Sequence, residues 1–135
     1  MATKKEIIEE ILEELERVED IEKTVIVDGQ RGLIICSLSP KMSEMEREFA
    51  GRITMAMKDL KSNIEKLVNC KINGVTIDIH DGRKIIIREM PKPLVLLVVV
   101  GPKANLSLLS IEIARTVEKI KKTEKQFSFS LANKE

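Results

Sequence analysis

Leu94-Val95-Leu96-Leu97-Val98-Val99-Val100 contains no polar residue and does not alternate. Pro91 and Pro93 stand before it, and Gly101 and Pro102 after it. A strand wet on one face alternates apolar with polar residues, so an unbroken apolar run is covered on both faces. A buried helix is the rival reading. The run is short, bounded by Pro and Gly, and rich in β-branched Val, which favours a strand. It falls far below the roughly 20 residues a helix needs to cross a bilayer. A middle strand requires sheet neighbours on both edges and helices above and below.

Working back from this strand, Arg83 to Glu89, centred on Ile85-Ile86-Ile87, reads as a fourth strand, and Asp81-Gly82 as a hairpin turn. Lys71 to His80 reads as a third. There Val75, Ile77 and Ile79 alternate with Thr76, Asp78 and His80, as suits a half-wet strand near a sheet edge. Thr24 to Asp28 and Leu33 to Leu38 form a further hairpin around Gly29-Gln30-Arg31-Gly32.

Three helices fill the remaining intervals. Thr3-Lys4-Lys5-Glu6 fits a capping box, with Glu6 reaching back to the Thr3 amide. It opens a helix to about Glu19 with Ile8, Ile11, Leu12, Leu15 and Val18 on one side. Its opposite, glutamate-rich side reads as a solvated face. Ser39-Pro40 breaks the chain. Ser43-Glu44-Met45-Glu46 is a second capping box, and a long helix follows to about Asn69. Met45, Phe49, Ile53, Ala56, Leu60, Ile64 and Leu67 are its expected core stripe. Gly51, Met55, Lys58 and Ser62 line the far side. A mid-helix Gly costs about 1 kcal/mol against Ala, so Gly51 either marks close approach of a second helix or is a tolerated blemish. Asn105 caps a last helix, with Leu106, Leu109, Ile113, Val117 and Ile120 inward, ending near Lys122. The stretch 123–135 is expected to be a flexible tail. The period-two spacing of Phe127, Phe129 and Leu131 also fits a short strand or a docking motif.

The expected fold is α+β, a five-stranded antiparallel sheet with helices on both faces, in the order α-β-β-α-β-β-β-α, forming one domain over residues 3–122. The 135 residues suffice to bury a real core. Only 2% of them are aromatic, so that core is aliphatic. Net charge is +1, from 23 basic and 22 acidic residues, and Trp and Tyr are absent. Such a balance argues against nucleic-acid binding through phosphates or base stacking. Cys36 and Cys70 form no zinc or CxxC pattern, and the N-terminus lacks a secretory apolar core. Reduced thiols and a cytoplasmic location are expected, without membrane insertion.

Catalytic constellations are missing. His80 is the single histidine, and its place beside a tight turn suits a solvated role. Gly101-Pro102-Lys103 lacks the spacing of a phosphate loop, and Pro102 removes a backbone donor. No catalytic, cofactor or metal residue is assigned, which leaves interaction as the function.

Three stretches carry a resemblance. Val25-Ile26-Val27-Asp28-Gly29-Gln30-Arg31-Gly32-Leu33-Ile34-Ile35-Cys36-Ser37, the long helix from Ser43, and Leu94 to Val100 followed by Asn105-Leu106-Ser107-Leu108-Leu109 together resemble the Roadblock family of dynein light-chain and MglB-like proteins. The resemblance covers about Glu6 to Lys122. It implies a sheet with the last strand at its centre. It also implies homodimers in which the long helices pack together and the third strands meet at an edge. Gly51, Met55, Lys58, Ser62, Val75 and Ile77 are the expected dimer or partner surface.

The resemblance further implies a regulator or scaffold of a small Ras-like GTPase, with no hydrolysis of its own. An arginine supplied in trans is one device for such a regulator, and Arg31, Arg47 and Arg52 are the candidates. Ordinary solubility roles are their bland reading. Two other functions stay open: a structural adaptor without a GTPase partner, and a small-ligand sensor. Bulky aliphatic core positions argue mildly against the last.

Overall fold

Strand β5 (Leu94–Val100) lies at the centre of a five-stranded sheet of order β2-β1-β5-β4-β3, with every neighbouring pair antiparallel. The computed structural model describes residues 2–38 and 42–133, with 128–133 as backbone only. The other strands are β1 (Ile21–Asp28), β2 (Leu33–Ser37), β3 (Gly74–Asp78) and β4 (Lys84–Glu89). Helices α1 (Lys4–Glu16), α2 (Glu44–Val68) and α3 (Leu106–Asn133) complete the expected order. The expected break at Ser39-Pro40 lies outside the described residues.

The pleat sends alternate β5 side chains to two unequal cores. Leu96, Val98 and Val100 meet Ile8, Leu12 and Leu15 of α1 and Leu109, Ile113 and Ile120 of α3, all buried. On the other face Leu97 joins Val25, Val27 and Ile87 beneath α2. There Ile53, Met57, Ile77, Ile85, Val95 and Val99 are only half-buried. Width explains the difference. Five strands spaced about 4.8 Å apart make a sheet roughly 20 Å across, and a helix is about 10 Å wide. Two helices cover one face; one helix leaves part of the other open.

Local chemistry sets the element ends. The hydroxyls of Thr3 and Ser43 accept from the amides of Glu6 and Glu46 at 3.2 and 3.1 Å, capping α1 and α2. The capping boxes differ from expectation at their second half. The Glu6 carboxylate accepts from the Thr3 hydroxyl at 3.1 Å rather than from the Thr3 amide. Helix α1 also stops earlier than Glu19 because Asp20 turns left-handed at φ 71°. Asp20 is held there from a distant loop: its carbonyl accepts from Gly101 N at 2.7 Å, and its carboxylate from Lys103 N at 2.6 Å. β1 therefore begins at Ile21 rather than Thr24.

Two helix expectations need correction. In α2 the buried residues are Ala50, Gly51 and Thr54, and Ile53 of the expected stripe packs half-buried on the sheet core beside Met57. Met45, Phe49, Ala56, Leu60 and Leu67 of the expected core stripe are exposed. Gly51 sets this rotation: a Cβ there would lie 2.0 Å from the Gly32 carbonyl oxygen, so the helix rests on the β1–β2 turn through its small residues. In α3, Asn105 caps as expected, accepting from Leu108 N at 3.1 Å, but Leu106 is exposed. Helix α3 also continues past Lys122 to Asn133. No Gly or Pro interrupts it, Thr123 is buried, and Lys4 Nζ of α1 lies 2.8 Å from Glu124 Oε1. An ion pair from Lys119 to Glu14 also links the two helices and holds the Glu14 carboxyl below its usual range. Backbone 129–131 is helical, so the short strand that stood as an alternative to a flexible tail is absent there.

Candidate functional site

Helix α2 presents large apolar side chains to solvent. Met45 is 64% exposed, Phe49 51%, Leu60 43% and Leu67 85%. At about 100° per residue these four fall within a single narrow arc. Single exposed apolar residues need no explanation, but an aligned row of them marks a contact surface. The incompletely covered row Ile77, Ile85 and Val99 lies on the same face of the sheet as α2. Glu46, near the start of this helix, is held below the usual carboxylate range by the Lys23 ammonium, with help from the Ser43 cap.

The expected surface residues are scattered over several environments. Gly51 is buried against Gly32, so it serves the chain's own packing. Met55 is 47% exposed and borders a shallow groove of about 560 Å³ between α2 and the β1–β2 turn. Lys58 lines a separate cavity of about 150 Å³ with Met57, Lys61, Val75 and Ile87. Ser62 is exposed. Val75 and Ile77 are half-buried on edge strand β3. Residues 51, 55, 58 and 62 thus lie on a different side of α2 from the Phe49–Leu60 row.

The groove beside Met55 brings Arg31, Arg47 and Arg52 together. The turn that carries Arg31 is fixed by Asp28, whose carboxylate accepts from Gln30 N at 2.9 Å and Arg31 N at 3.1 Å. Gly32 closes the turn at φ 69°. Arg52 pairs with Glu48 one helical turn away, whereas Arg31 and Arg47 have no ion pair among the described residues. In the smaller cavity Lys61 bonds Glu89 and lies 3.7 Å from Glu65.

Reactive groups are sparse at these places. Burial, reinforced by Glu9, pushes the Cys36 thiol up to about 11, which keeps it protonated and inert. Cys70 and His80 are exposed. Among the described residues no group of three His, Cys, Asp or Glu side chains could hold a metal, and no helix is long and apolar enough to cross a membrane.

The exposed row had no signal in the sequence distinct from that of a core stripe. Together with Ile53, Met57 and Ile64 it spans about 120° of the helix, the width of an ordinary single apolar stripe.

No protein-family description and no curated protein sequence matches the chain. Solved structures do. MglB from Myxococcus xanthus superposes with a TM-score of 0.77 at 14% identity, over 88% of this chain and 95% of that one. An MglB in a tetrameric arrangement gives 0.75 at 15% identity, over 93% of each chain. A Roadblock/LC7 domain from Streptomyces avermitilis gives 0.66 at 17% identity, over 85% of this chain and 92% of that one. The likeness is one of architecture: the chain has the Roadblock fold.

Proposed function

We propose that two copies of this chain pair across the outer row of α2, and that the doubled surface regulates or scaffolds a small Ras-like GTPase by binding, without catalysis of its own. The observation that carries the pairing is the exposed row Met45, Phe49, Leu60 and Leu67 beside a half-covered sheet face. A second α2 is long enough to cover this row: 25 residues span about 37 Å. Edge strand β3, with Val75 and Ile77, offers free backbone groups that would extend the sheet into the partner copy. The tetrameric arrangement of one similar MglB supports self-association as a property of this architecture.

The GTPase reading rests on the family resemblance of the hairpin at 25–37, the long helix and the β5–α3 stretch. Action would come from favouring one conformation of the GTPase switch loops through differential affinity.

The test is turnover and nucleotide exchange of Ras-like GTPases from the source cell, with and without the protein. A change in either rate supports regulation. Complex formation that ignores GTP against GDP supports the adaptor role instead. No complex and no rate change would remove the GTPase reading.

Phe49→Asp and Met55→Asp separate the two sides of α2. The first variant is expected to give single chains in light scattering and the second to leave the pair intact. The opposite result would move the interface to the side holding Met55, Lys58 and Ser62.

A further inference from the structure

We infer that the groove between α2 and the β1–β2 turn is a second docking site, which takes an acidic, apolar-anchored peptide segment of a partner protein. This site is distinct from the pairing proposed above, because its floor at Gly51 and Met55 and its unpaired Arg47 lie away from the Phe49–Leu60 row, although Arg52 borders both. Gly51 and Phe49 are two residues apart, about 200° around the axis.

Three observations carry it. First, charge is concentrated: Arg31, Arg47 and Arg52 border the groove against the single carboxylate of Glu48. The whole chain has a net charge of only +1, so this local excess is not a general basic character. Second, two of the three guanidiniums are unengaged. Arg52 is bound to Glu48, while Arg31 and Arg47 have no ion pair among the described residues. Unpaired guanidiniums present forked donors suited to carboxylates. Third, the floor is apolar and backed by backbone. Leu33 is 56% exposed and Met55 47%, and between them Gly32 packs directly on Gly51 with the Met55 side chain against it. Met55 is unbranched and adaptable, which suits a site that accommodates a side chain from outside.

The groove is fixed rather than formed on demand. Asp28 holds the turn bearing Arg31 through two amide hydrogen bonds, and the absence of Cβ atoms at Gly51 and Gly32 fixes the separation of turn and helix. An apolar floor with arginines at its rim asks for a bulky aliphatic or aromatic residue flanked by carboxylates. A small inorganic anion would use the rim and leave the floor empty. β2 does not offer a clean edge for strand addition, because its pairing with β1 shifts between Ile26 and Val27, so the contact is through side chains.

The test uses the full chain and a fluorescein-labelled peptide of alternating glutamate and leucine, read by fluorescence anisotropy. Lysine–leucine and glutamate–serine peptides of the same length are the controls. The glutamate–leucine peptide is expected to bind best, and raised salt to weaken its binding. The double variant Arg31→Ala with Arg47→Ala is expected to bind it about five- to tenfold more weakly. Leu67→Asp, at the far end of the exposed row, should bind it unchanged, so a failure of the pairing model is read separately from a failure here. Equal binding of the three peptides, no binding of any, or full affinity in the double variant would overturn the site. So would displacement by inorganic phosphate with the glutamate–serine peptide binding equally well, because a bare anion site would then suffice.

Discussion

Gly51 shows how far one residue can set an interface. Its place in mid-helix is unfavourable by about 1 kcal/mol against Ala, yet a Cβ there would meet the Gly32 carbonyl at 2.0 Å. Gly51→Ala should therefore destabilise the fold by about 1–3 kcal/mol despite its better helix propensity, seen as a lower urea midpoint at unchanged slope. An unchanged or raised midpoint would mean that α2 does not rest on the turn. Cys36 gives a second residue-level expectation. With its thiol raised to about 11, it should resist alkylation at pH 8 while exposed Cys70 reacts, so a native titration finds one fast thiol and a denatured one finds two. The sign for stability follows from the same burial. Between the ordinary value of 9.0 and about 11 the folded chain keeps a proton that the unfolded chain loses, so this thiol's contribution to stability falls as pH rises through that window.

At the scale of elements, β5 was the most legible part of the chain. Three Pro, one Gly and an unbroken aliphatic run fix its limits at Leu94 and Val100. The hairpins followed from Asp28–Gly32 and Asp81–Gly82, where turn chemistry is local. The facing of α2 was not legible, because periodicity finds an apolar stripe without saying what covers it. The whole stripe of large residues was assigned to the chain's own sheet, whereas of that stripe Ile53 packs on the sheet core, with Met57 beside it, and the fully buried α2 positions are Ala50, Gly51 and Thr54. The extent of α3 was missed for a related reason: polar residues after Lys122 look like a tail until α1 is placed beside them. Ending the chain after Lys122 removes buried Thr123 and the Lys4–Glu124 pair. A loss of about 1 kcal/mol in denaturation is expected. No loss would mean that the segment is frayed, as its composition suggests.

For the whole molecule, the two faces of the sheet divide its tasks. Two helices bury one face through an aliphatic core that holds the chain together. One helix on the other face leaves half-buried sheet residues and an outward apolar row. Arg31, Arg47 and Arg52 were singled out in the sequence, but the groove that joins them was not, because Arg31 and Arg47 are sixteen positions apart and meet only when the β1–β2 turn packs under α2. The pairing of chains through α2 is the claim on which the doubled surface depends. It is tested most directly by light scattering of the purified protein across a dilution series. The account predicts a mass twice the 15.3 kDa of one chain, falling to the single-chain value in Phe49→Asp. A wild-type mass of 15.3 kDa at every concentration would contradict it.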